Sequence, residues 1–265
     1  MHLGVLLRHL GPDTDTETVR AAARSADVLG YHSLWAVDPR LAPASGGGGA
    51  TAGIEPVAAL VEAAACTERV RLGLHVMAGY GGPEGTGPLL TAGLPATLAP
   101  RLTVAFDVGS PDLDEATVDA ALVALRRHTH SLLVSTRSRQ RWGRFAPLVD
   151  GWLVTGAPGG VDGVDWRAVL EAAVEGSVDP SRLSLVVRAN VLLADQPLGR
   201  ERSTFCGSVD QVVDDLVEVA GMGADSAVLA MGIDLALDDV LAGYAAIAEG
   251  LELRSAVQAP RLTGP

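Results

Sequence analysis

Residues Glu55–Met77, EPVAALVEAAACTERVRLGLHVM, hold an amphipathic helix over roughly 55–67. It leads into a short apolar strand over roughly 70–77. A strand apolar along its whole length belongs to a sheet covered on both faces, and helix–strand units in series build a parallel sheet. Working outward, the same alternation recurs to both ends of the chain. Strands are expected near 2–8, 32–37, 101–108, 131–135, 151–155, 183–193 and 226–231, besides 70–77. Helices are expected near 15–29, 87–98, 113–128, 138–148, 164–176, 208–222 and 236–250, besides 55–67. Ser208 before Val209-Asp210-Gln211, and Asp112 or Asp114 before the fourth helix, are suited to N-caps. Gly30 and Gly223 stand where helices end.

Eight apolar strands alternating with eight helices predict an α/β fold, a closed (β/α)8 TIM-type barrel in a single domain over 1–255. A tail is expected at 256–265. No GxGxxG follows the first strand, which weighs against a dinucleotide-binding open sheet. The glycine-rich stretch Ser45–Gly53 (SGGGGATAG) and the Gly79–Gly87 segment are expected as loops at the C-terminal ends of the strands.

All twenty basic residues among the 265 are arginine. Without a lysine, Schiff-base aldolase chemistry and covalent pyridoxal attachment are excluded, as is a GxxxxGK[ST] phosphate loop. A formal charge of −12 argues against nucleic-acid partners, which require a basic face. Cys66 and Cys206 lack metal-ligand or disulfide spacing and read as reduced, buried thiols. No metal site is expected. The N-terminus carries no basic region or cleavage signature, and no apolar run reaches the roughly 20 residues of a membrane span. The expectation is a cytoplasmic protein without a membrane partner.

Chemistry on such a barrel gathers where the strands end. The polar residues there are Arg8 and His9, Asp38, His75, Asp107, the Ser135-Thr136-Arg137-Ser138 turn, Thr155 and Gly156, and the pair Arg188 and Asn190. Arg188 and Asn190 lie two apart in an apolar strand and so share a face. A guanidinium inside a barrel needs either a carboxylate, Asp107 or Asp38, or an anionic ligand. The Ser135–Ser138 turn leads into a helix, and its hydroxyls, amides and arginine suit either a phosphate or an ordinary cap. His75 reads as a core histidine or, being near its strand's end, as a general acid–base. His9 reads as an exposed loop histidine, and His128 and His130 as helix-end residues on the opposite face.

Ala26–Asp38 (ADVLGYHSLWAVD) and Glu55–Met77 resemble the bacterial-luciferase-like family of flavin- or F420-dependent oxidoreductases and monooxygenases. In the former stretch the likeness is to a helix ending in Leu-Gly followed by a strand ending Trp-x-x-Asp. In the latter it is to a helix followed by Thr-x-Arg-Val-x-Leu-Gly. Leu90–Arg101 (LTAGLPATLAPR), Val149–Thr155 (VDGWLVT) and Cys206–Leu229 (CGSVDQVVDDLVEVAGMGADSAVL) continue the resemblance in order.

The resemblance implies FMN or F420 across the strand ends. The cofactor phosphate would lie near Ser135, Thr136, Arg137 and Ser138, with Thr155 and Gly156 beside it. Arg188 and Asn190 would stand at the active site, where the similar alkanesulfonate monooxygenases carry Arg-x-His. It also implies a homodimer, or pairing with a related barrel. The chain departs from the pattern at Asp38-Pro39, where F420-using members commonly have Asp-His. It departs again at His75, where a small residue is usual beside a bulged, often cis, peptide backing the flavin.

Three functions remain open on these grounds. One is an oxidoreductase using reduced FMN or F420 on a small organic substrate, with Arg188 orienting it and His75 or Asp38 moving protons. Another is a flavin-free barrel catalysing an isomerisation, dehydration or cyclisation through His75 and Asp107. The third is a non-catalytic partner subunit.

Overall fold

The computed structural model describes residues 1–11, 14–42, 53–78, 96–108, 115–127, 129–136, 139–156, 166–176, 178–232 and 235–258. In chain order the elements are β1 (His2–Leu6), α1 (Thr16–Val28), β2 (Ser33–Val37), α2 (Pro56–Ala65), β3 (Arg71–Met77) and β4 (Leu102–Asp107). Next come α3 (Glu115–Arg126), β5 (Ser131–Ser135), α4 (Arg139–Phe145), β6 (Gly151–Thr155) and α5 (Trp166–Glu175). The chain ends with β7 (Ser184–Asn190), β8 (Leu192–Leu193), β9 (Cys206–Gly207), α6 (Val209–Gly221), β10 (Ser226–Ala230) and α7 (Leu237–Gln258). Eight strands close a wholly parallel barrel in the order β1-β10-β7-β6-β5-β4-β3-β2, which is the (β/α)8 architecture. Among the described residues no helix is long and apolar enough to cross a membrane.

Alternation along the strands sorts the core into two compartments. Outward residues such as Leu34, Leu72, Val104, Leu132, Trp152 and Leu185 pack under the helices. Inward residues Leu6, Trp35, Val37, Ala105, Leu133, Leu153, Val186 and Val228 form a separate apolar cluster inside the lumen. Gly73 pairs with Trp35, and a Cβ there would lie 2.1 Å from the indole, so only glycine lets the ring fill the barrel.

The caps follow the sequence. Asp15 accepts the Thr18 amide at 2.8 Å, and Ser208 with Gln211 forms a reciprocal capping box. Gly30 and Gly223 take φ of 79° and 99° at helix ends. Pro147 turns the end of the expected 138–148 helix into a 3-10 turn over Ala146–Leu148.

One expected strand is corrected. The run 183–193 is not continuous, because the β7 ladder stops at Asn190 and the Leu192 amide bonds to Phe205 O at 3.0 Å. Leu192–Leu193 then pairs with Cys206–Gly207 as a two-stranded parallel sheet. Asp215 on α6 fixes this excursion. It accepts Arg202 Nη1 and Nη2 at 2.7 Å each and the Phe205 amide at 2.7 Å, holding Phe205 at φ 64°. The two cysteines are free and half-buried rather than buried. The last helix continues to Gln258, past the start of the expected tail. Residues 45–52 and 79–95, the Asp112 and Asp114 caps, and residues 259–265 lie outside the described residues.

His9 is buried, not the exposed loop histidine expected from its position after β1. It accepts the Val37 amide on Nε2 at 3.0 Å, so Nδ1 carries the proton and donates to Ile54 O at 2.9 Å. This neutral ring ties the end of β1 to the end of β2 and to the segment entering α2. Burial pushes its pKa down to about 4, against the smaller opposing effect of the bonds to Ile54 and Val37. A depressed histidine pKa means that the unfolded chain binds the proton first. Its contribution is therefore complete above the unfolded value of 6.5 and is lost as pH falls toward 4. Chemical denaturation at pH 7 and pH 4.5 is expected to show wild-type stability falling by about 2.4 kcal/mol through this ring. In His9→Gln the fall should be clearly shallower, and an unchanged acid limb would refute the assignment.

Candidate functional site

At the C-terminal end of the lumen the apolar layer gives way to charged and polar side chains. Inward positions of β3, β4 and β7 place His75, Asp107 and Arg188 in one group, although they are far apart in sequence. Arg188 Nη1 donates to His75 Nδ1 at 3.3 Å, and Nη2 donates to the Leu41 carbonyl at 2.7 Å. A guanidinium can only donate, so Nδ1 is the acceptor and the ring proton sits on Nε2. That nitrogen faces Asp107 Oδ2 at 3.8 Å, close enough for charge attraction but too far for a direct hydrogen bond.

Arg188 is 6 % exposed, and no carboxylate of the described residues lies within ion-pairing distance of it. The structural ion pair with Asp107 or Asp38 that the sequence permits is therefore not formed. Burial lowers the guanidinium pKa to about 10, against the opposing pull of Asp107, so the group stays cationic at neutral pH. Among the described residues, its Nε and the His75 Nε2 are buried without a hydrogen-bond partner. Burial also lowers the His75 pKa; the Arg188 charge adds to this, while Asp107 and Asp38 oppose it. The ring is neutral at pH 7.

Asp38 is engaged elsewhere. Its Oδ1 accepts the Arg40 backbone amide and Nε, each at 3.0 Å, and Oδ2 accepts the Met77 amide at 3.3 Å. Burial alone would raise its pKa, but the Arg40 bonds outweigh it and hold the carboxyl below its usual range. Asp38 thereby joins the ends of β2 and β3. Arg40 and the Leu41 carbonyl are not among the residues the sequence singles out. The Asp-Pro-Arg order, which favours a short side-chain-capped turn, is the available signal for them.

The remaining candidates ring this group. Ser135 is buried and in register with Asp107, and Thr136 is buried beside it, its carbonyl accepting Trp142 Nε1 at 3.4 Å. Thr155 is in register with Arg188. Gly156 follows at φ 88° with open space where a side chain would stand. Asn190 is exposed and in register with Ala230, farther along β7 than Arg188. Arg137 and Ser138 lie outside the described residues. β3 runs in unbroken register with β4 from Leu72 to Met77, so the bulge implied at His75 is absent from this stretch. Among the described residues no group of three or more metal-ligating side chains converges.

With this geometry the fold is the (β/α)8 barrel, and solved barrels superpose on the chain over nearly all its length. Monooxygenase RslO1 from Streptomyces bottropensis superposes with TM-score 0.72 at 20% identity, covering 96% of this chain and 100% of that one. The coenzyme F420-dependent tetrahydromethanopterin reductase from Methanopyrus kandleri gives TM-score 0.65 at 14% identity over 95% and 97%. The oxygenating constituent of 3,6-diketocamphane monooxygenase from the CAM plasmid of Pseudomonas putida, a type II Baeyer–Villiger monooxygenase in complex with FMN, gives 0.57 at 16% over 100% and 99%. No family model and no curated protein matches the chain.

A buried cation without a carboxylate partner destabilises the fold, so the Arg188 charge should not be there for stability. Thermal unfolding of Arg188→Met is expected to show stability unchanged or raised by about 1 kcal/mol. A loss beyond about 2 kcal/mol would instead make its bonds to Leu41 and His75 structural.

Proposed function

We propose that the chain is an oxidoreductase of the luciferase-like kind, using reduced FMN or F420 on a small organic substrate at the C-terminal mouth of the barrel. The observation that carries this reading is the buried Arg188 cation with an unused Nε, beside an unused His75 Nε2. Such donors call for a ligand that brings acceptor atoms to the mouth. The fold neighbours point to the ligand class, since one is F420-dependent and another binds FMN. The open space at Gly156 and the nearby Ser135 hydroxyl fit a group entering there.

When bound, the reduced cofactor supplies the reducing equivalents, and the residues of the chain hold and orient. Arg188 binds and orients a carbonyl or anionic oxygen of the substrate, charge-assisted through Nε. His75, neutral with its proton on Nε2, would donate a hydrogen bond from that nitrogen to an oxygen gaining negative charge, and the Asp107 carboxylate facing Nε2 favours that tautomer. Asp38, with its oxygens engaged, positions Arg40 and the end of β3. Ser135, Thr136, Arg137 and Ser138 would hold the cofactor phosphate, with Thr155 and Gly156 alongside. Asn190 would contact the substrate from the rim.

An alternative reading rests on the same His75–Arg188 contact, which occupies the lumen just below the mouth. There the barrel works without a cofactor, His75 serving as acid–base in an isomerisation, dehydration or cyclisation and Arg188 stabilising an enolate-like charge.

Titration of the purified protein with FMN, reduced FMN and F420, followed by fluorescence and difference absorbance, separates the two. The redox reading expects saturable binding of at least one, weakened about tenfold or more in Arg188→Met and in Arg137→Ala. Absence of binding to all three would overturn it in favour of the cofactor-free reading, for which His75→Ala is the first variant to assay.

A further inference from the structure

The opposite, N-terminal end of the lumen is also polar. Inward positions at the starts of β3, β4, β5, β7 and β10 are Arg71, Thr103, Ser131, Ser184 and Ser226. They line a cavity of about 400 Å³ whose apolar floor is Trp35, Leu133 and Val186. In an ordinary barrel this layer would be filled by apolar side chains.

None of these five side chains has a hydrogen-bond or ion-pair partner among the described residues. His130 reaches the same cavity, and so do His2 and His32, whose rings stack at 4.2 Å between centroids with a 17° tilt. The facing carboxylates are few. Asp225 lines the cavity with one oxygen committed to the Leu185 amide at 2.9 Å, and Glu252 lies in the adjoining groove that His2 and His32 also border. Burial, with the His2 and Arg71 charges added, lowers the pKa of His32, as expected where positive groups crowd together.

We propose that this basal cavity is a binding site for a small tetrahedral oxyanion, inorganic phosphate or the phosphate of a small phosphomonoester. Arg71 supplies the charge, and the ring of hydroxyls supplies neutral donors. A planar carboxylate is satisfied by one guanidinium fork. Donors converging from five strands instead suit an ion whose oxygens point in several directions. The cavity is large enough for such a ligand and far smaller than an extended dinucleotide requires. A cationic ligand would meet Arg71 and the stacked histidines. In a chain of net charge −12 an uncommitted arginine in a hydroxyl-lined recess is a local exception to the surrounding field. The apolar lumen layer separates this site from the C-terminal mouth, so the two can be tested independently.

Isothermal titration of the full chain with inorganic phosphate, and separately with glycerol 3-phosphate, at constant ionic strength tests the site. Saturable millimolar or tighter binding is expected. It should weaken about tenfold or more in Arg71→Met and several-fold in the isosteric Thr103→Val, and it should be unaffected by Arg188→Met. Tighter binding of glycerol 3-phosphate than of phosphate would identify an organic ligand, and equal binding the free ion; both support the site. Should Arg71→Met fail to fold, Thr103→Val decides. The site is refuted if neither probe saturates, if Thr103→Val binds as wild type does, or if binding is lost in Arg188→Met, which would place the anion at the mouth.

Discussion

The Trp35 indole lies inside the barrel because its neighbour in the β2–β3 ladder, Gly73, has no side chain. The rest of the interior depends on that contact. An eight-stranded barrel has a lumen only wide enough to be filled by side chains, and one bulky ring consumes much of it. With Leu133, Leu153, Val186 and Val228 completing the layer, water is excluded from the middle. Polar residues on the inward face are left only the two ends. The apolar layer is thus both the core of the sheet and the partition between a polar mouth and a polar base.

At the mouth, burial lowers the pKa of both His75 and Arg188. Arg188 is neutralised by no carboxylate of the described residues and is held by a carbonyl and an imidazole, both of which accept without cancelling its charge. The same charge helps keep His75 neutral, which gives the ring one nitrogen that accepts and one that donates. Asp38 stands close by, yet Arg40 and the Met77 amide engage it, so that carboxylate is spent on geometry. An arrangement that leaves donors buried and unused is unfavourable for folding alone, and it is the ground on which a ligand is proposed there.

Much of this is legible in the chain without coordinates. Apolar strands separated by helix-period segments define the barrel and, apart from the run 183–193, its strand positions to within two residues. The glycines closing helices and the Ser208 cap are legible because their chemistry is local. Long-range partners are not. His9 has the sequence surroundings of a loop histidine, and nothing in its neighbourhood shows that Ile54 and Val37 will bracket it. The apolar residues after Asn190 are compatible with a continuing strand, whereas the excursion there is imposed from α6 through Asp215.

The sequence by itself determined which residues of a strand share a face, since alternation along a strand is a property of the backbone and needs no knowledge of neighbours. It therefore put Arg188 and Asn190 on one face, and His75, Asp107 and Arg188 toward the C-terminal ends of their strands. Only the tertiary structure decided which of them meet. Arg188 contacts His75 and Leu41 rather than Asp107 or Asp38 because closure of the barrel brings β7 to face β2 and β3 across the mouth. Distances across a closed sheet depend on its curvature and on the side chains that fill it. Those are set jointly by all eight strands and by no single stretch of sequence.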